Sequence, residues 1–126
     1  MIKILIICLG GSLGAYLRFI ISAKINDTHT SNFPYGTIIV NIIGCFFIGF
    51  LWHLAEQMNV STNLKLFLFV GLLGAFTTFS TFGLESHNLF VNNDISLGML
   101  NILASNILGI FFVFLGLILS KNIFQI

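Results

Sequence analysis

Charge is what this sequence lacks most. Its 126 residues carry five Lys or Arg and four Asp or Glu, whereas about a quarter of a soluble domain is charged. That excludes an ordinary water-exposed surface, and the absence of any basic run removes nucleic acid as a partner. Proline occurs once, at Pro34, outside every apolar stretch. Cysteine occurs twice, and Cys8 and Cys45 both fall inside apolar stretches. They read as small packing residues rather than a disulfide. The three histidines and two cysteines show no metal-ligand spacing. A phosphate-binding loop is missing, and so is a carbonyl filter of the TVGYG kind.

What is there is apolar: 57% of the chain is hydrophobic. Four stretches, about 4–23, 36–55, 65–92 and 97–120, each reach the ~20 residues that cross a bilayer core. The connectors 24–35, 56–64 and 92–96 are short and polar. The expectation is an all-α, multi-pass membrane protein, with residues 1–126 forming a single four-span domain among lipid. Lys3 followed by ILIICLGG resembles a signal peptide, but Arg18 and the glycines fit a retained first span better. An even number of spans puts both termini on one side. That side carries Lys3, Lys65 and Lys121, and the other carries Lys24 with Arg18 near a span end. So weak a bias allows insertion in both orientations, and one orientation set by Lys3 and Lys121 remains open.

Small and polar residues mark one face on three of the spans. Gly10, Gly11, Gly14, Ala15, Arg18 and Ser22 recur at spacings of three and four, with a GxxxG from Gly10 to Gly14. Thr37, Asn41, Gly44 and Cys45 line the second span, and Asn101, Ser105, Gly109 and Gly116 the fourth. Asn41 has two readings, interhelical glue or an amide aimed at an anion. Ser105 can simply bond back to its own helix. Arg18 reads as a snorkelling anchor or a gate. Glu85, deep in the third span, is a functional candidate by its ionisable nature alone. Tyr16, Tyr35 and Trp52 suit interfacial positions.

The segment GLLGAFTTFSTFGLE (71–85) stands apart. Thr77, Thr78, Ser80 and Thr81 are poor lipid-facing residues, because an unpartnered polar group in hydrocarbon costs roughly 2–7 kcal/mol. Gly71 and Gly74 permit a departure from the helix just before them, which makes the segment a candidate ion site. Gly10-Gly11-Ser12-Leu13-Gly14 matches the hydrolase elbow G-x-S-x-G, yet no histidine is organised beside it. Transport without a chemical step remains, and the chain is not read as an enzyme. A cation exporter calls for a carboxylate in its path, and Glu85 is the only acid well inside a span. Anions want donors and positive ring edges. Thr78, Ser80, Thr81 and Asn41 supply the first, and Phe79 and Phe82, three apart, the second. The chemistry favours a small anion.

GGSLGAYLRF (10–19), GTIIVNIIGCFFIG (36–49) and GLLGAFTTFSTFGLE (71–85) together resemble the Fluc/CrcB fluoride channel family. The resemblance implies a dual-topology antiparallel homodimer in the plasma membrane that exports fluoride passively and so limits its toxicity. It implies a third helix broken within the membrane and a structural sodium ion on the backbone carbonyls of Gly74 and Thr77. By motif, Asn41 is then the pore amide, Phe79 and Phe82 the ring edges, Ser80 and Thr81 nearby hydroxyls, and Arg18 the vestibule cation. Glu85 is then near a pore mouth. Asn101 and Ser105 match an expected polar ladder in the last span, whereas Gly109 lacks a side-chain donor. Two other readings stay open. A small four-span secondary exporter of organic cations would need an essential carboxylate, and a purely structural subunit would pass no ions.

Overall fold

The computed structural model describes residues 1–124. Four helical stretches are long and apolar enough to cross a membrane, and no strand occurs among the described residues. The first two are α1 (Ile2–Asp27) and α2 (Tyr35–Gln57). The third stretch, Thr62–Val91, is composite. It starts as α3 (Thr62–Lys65), widens into a π-helical segment (Leu66–Leu73), and tightens again as α4 (Gly74–Phe76). After two extended residues it resumes as α5 (Phe79–Val91). The fourth is α6 (Ile95–Phe124). Each expected span is present and runs past its apolar limits at one end or both.

Local chemistry sets the ends. Pro34 stands immediately before α2, where the missing N–H costs nothing. Asn59 (φ 48°) and Asn93 (φ 61°) are left-handed just past α2 and α5. In each case the next N–H reaches back five residues: Val60 N–H to Ala55 O at 3.1 Å, and Asp94 N–H to Leu89 O at 2.9 Å. This is the Schellman ending, with asparagine in the place glycine usually takes. Ser61 caps α3 by accepting from Leu64 N–H.

Glycines decide the packing. A Cβ on Gly71 would lie 2.9 Å from the Cα of Gly10 and 2.8 Å from Ile7 O, so α1 and the π-helical segment touch backbone to backbone. Gly71 is therefore a packing residue. It and Gly74 keep helical geometry, and no glycine has a positive φ. The expectation that these two glycines release the helix is corrected here. In α1, Gly10 and Gly14 are the buried members of the stripe, whereas a Cβ on Gly11 would meet nothing within 4 Å. Helices α2 and α6 make the most extensive contact. There Gly116 lies against the backbone of Phe46 and Phe50, and Gly49 against that of Val113.

Candidate functional site

The helix gives way at Thr77 (φ −82°, ψ 154°) and Thr78 (φ −147°, ψ 120°), both extended. Their backbone groups need partners, and Asn41 on α2 supplies them. Its Nδ2 donates to Thr78 O at 3.0 Å, and its Oδ1 accepts from Thr78 N–H at 2.7 Å. Thr78 Oγ1 in turn accepts from Thr81 N–H at 3.2 Å, which caps α5, and donates to Thr81 Oγ1 at 3.0 Å. These two diversions have a common result. Thr78 N–H would close the helical bond to Gly74 O, and Thr81 N–H the bond to Thr77 O. Both donors go elsewhere, so both carbonyls lose their helical partner.

The hydroxyls differ in what they have left. Thr77 Oγ1 donates to Leu73 O at 3.1 Å and is occupied. Ser80 is exposed, with its Oγ 3.3 Å from Thr78 Oγ1. Thr81 Oγ1 accepts from Thr78, which leaves its own proton free to donate outward. Asn41 has spent one of its two N–H groups. It is glue to the broken segment, and it also retains a donor.

Six of the residues expected from sequence meet around one cavity of about 280 Å³: Asn41, Gly74, Thr77, Phe79, Phe82 and Ser105. No carboxylate lines it. Phe79 and Phe82 have ring centroids 5.2 Å apart, and they are not equivalent. Phe82 is buried at 7% exposure, while Phe79 is 78% exposed and points away from its own protomer. Arg18 and Thr81 line a second recess of about 220 Å³, and Thr78 borders both recesses. Ser80 borders neither.

A buried chain of polar groups joins α5 to α6. Ser86 Oγ donates to Phe82 O at 2.8 Å, Asn101 Nδ2 donates to Ser86 Oγ at 2.9 Å, and Ser105 Oγ donates to Asn101 Oδ1 at 3.4 Å. Ser105 thus bonds to a side chain rather than to its own backbone. Ser86 was not legible in advance; its signal is that it follows Phe82 by one helical turn. Thr37 Oγ1 donates to Glu85 Oε1 at 2.7 Å. Glu85 shares a recess with Asn26, Ser31, Asn32, Phe33 and Pro34, so it sits beside the first connector rather than deep in the span. Ser12 Oγ donates to Leu9 O within α1, so the G-x-S-x-G match lies on an unbroken helix.

The model for the family described as CrcB-like protein, camphor resistance (CrcB), matches residues 5–117. A protein of Parabacteroides distasonis named fluoride-specific ion channel FluC is 48% identical over 123 residues, covering 98% of this chain and 96% of that protein. The identically named protein of Salinibacter ruber is 44% identical, over 92% of this chain and 87% of its own length. That of Agrobacterium fabrum is 42% identical, over 98% and 100% respectively.

Proposed function

The chain belongs to the CrcB-like family, and from that membership we propose that it is a fluoride-selective channel which lets the ion leave the cell passively. It acts without catalysis. The observation that carries the reading is the cavity around Phe79 and Phe82. Amide and hydroxyl donors face two ring edges there, with no carboxylate among the lining residues. Fluoride is small and strongly hydrated, and a site that carries it must replace its water with donors. The amide of Asn41, the free O–H of Thr81 and the hydroxyl of Ser80 are such donors. Arg18, in the adjoining recess, makes the approach electropositive. An organic-cation exporter is less well served by this lining.

The working unit is an antiparallel homodimer with each copy inserted in the opposite sense. The weak lysine bias supports this, as does Phe79, whose exposed ring calls for a covering surface. The break in the third span lies within the plasma membrane. The carbonyls of Gly74 and Thr77, bypassed by their helical donors, fit a small monovalent cation. Sodium held by these oxygens from two copies would neutralise part of the carbonyl field and tie the subunits together.

Fluoride efflux from liposomes containing only this protein tests the reading. Fluoride is expected to leave readily and chloride to be retained. Equal rates for the two ions, or no release above protein-free liposomes, would overturn it.

A further inference from the structure

Helix α6 presents one amide to the outside of the protomer. Asn106 is exposed among Leu103, Ile107, Ile110 and Phe111, all apolar and exposed as well. An amide on such a stripe is costly unless it has something to bond. Asn106 Nδ2 donates to Ile102 O at 2.7 Å, which uses one of its two hydrogens. The residue also lines the cavity that holds Phe79, Phe82 and Asn41.

On that wall the other α6 donor is already committed. Ser105 has a single hydroxyl proton, and it goes inward to Asn101 Oδ1. One turn further on stands Gly109, with no side chain to offer. We propose that Asn106 is a specificity-determining residue of the pathway, its second N–H supplying the hydrogen bond from α6 to the anion beside Phe79 and Phe82. This rests on the fluoride reading and extends it. The donors facing the anion then come from three spans: Asn41 on α2, Thr81 on α5 and Asn106 on α6. Gly109 provides a way to check the idea. A Cβ there would meet only Cys45 Sγ, at 3.5 Å, an ordinary contact, so a serine hydroxyl can be accommodated.

The test is fluoride and chloride release from liposomes for the wild type, Asn106→Leu, Asn106→Asp, and Asn106→Leu combined with Gly109→Ser. Asn106→Leu keeps the size and removes the donor. Fluoride efflux is expected to fall about tenfold, the usual scale for one hydrogen bond to a charged group, with reduced discrimination against chloride. Gly109→Ser is expected to recover part of the loss. Asn106→Asp keeps the shape even more closely and should lose at least as much, which covers the case in which Asn106→Leu fails to assemble. Wild-type efflux from either single variant overturns the assignment while leaving the channel intact. Loss without any recovery by Gly109→Ser also overturns it, in favour of a packing role. A wild-type protein that releases no fluoride overturns the channel reading itself, and this inference with it.

Discussion

Helix α2 meets two neighbours in opposite ways. Toward α6 it is dry and close: Gly49 and Gly116 let the two backbones touch over the length of the seam. Toward the third span it is polar and open, with Asn41 bonded to Thr78 and a cavity beside it. The seam satisfies its backbone groups within each helix and has little hydrogen-bonding capacity to spare. At the break the ladder is interrupted, and the amides, hydroxyls and carbonyls it would have used turn toward the cavity. One face of α2 acts as scaffold, and the other holds open a segment that is not at its backbone optimum.

The largest expected effect comes from breaking the polar side. Asn41→Asp is nearly isosteric but replaces the N–H donor by a negative oxygen facing Thr78 O and the anion path. Fluoride efflux should vanish while the helix content of the purified protein is unchanged. Efflux at the wild-type rate would reduce Asn41 to structural glue.

Breaking the scaffold should look different. Gly116→Leu drives a side chain into the backbone of Phe46 and Phe50, and overpacking of this kind costs about 1–3 kcal/mol or more. The yield of folded protein and its thermal midpoint should both drop. Gly11→Ala, on the open side of α1, should leave both as they are. A Gly116→Leu protein as stable as the Gly11→Ala one would dissolve the contrast between seam and break.

Phe79→Ile and Phe82→Ile sharpen the comparison within the cavity. Each keeps bulk and removes a ring edge worth about 0.5–1.5 kcal/mol. Efflux should therefore fall about three- to tenfold with the assembly intact, and unchanged flux in both would remove the rings from the account. Thr77→Ala should do least. Its hydroxyl only bonds back to Leu73 O, and its proposed part in cation binding is through the main chain. Efflux within twofold of wild type is expected, in line with loss of a bond of about 1 kcal/mol or less. A collapse of flux would place the Thr77 side chain in the pathway.

The spans were legible because bilayer thickness fixes the length of an apolar run, and the polar connectors between them are unmistakable. The hydroxyl cluster was legible for the same reason in reverse. The position of the break was not. Glycine at 71 and 74 suggested backbone freedom, yet the residues that leave the helix are Thr77 and Thr78, in extended geometry that β-branched side chains favour. Gly71 is glycine because Gly10 lies against it. The second role of Asn41 was equally hidden. Its bonds run to a backbone 37 residues away, a pairing that no local pattern encodes. Ser86 and Asn106 escaped notice because a single polar residue in an apolar helix carries no signature of what it faces.

The π-helical segment Leu66–Leu73 has a consequence for how the break is aimed. Its wider turns hold more residues than an α-helix would over the same rise. Upstream it begins at the Ser61 cap, and at Gly71 it is pinned against Gly10. Each residue of an α-helix advances the side-chain direction by about 100°. Deleting one residue here would therefore swing everything that follows by roughly that angle about the helix axis. Thr78 would then no longer face Asn41, although every residue of the motif would still be present. The segment thus sets the azimuth of the hydroxyl cluster, and a change in residue count there would silence the site without touching any of its chemistry.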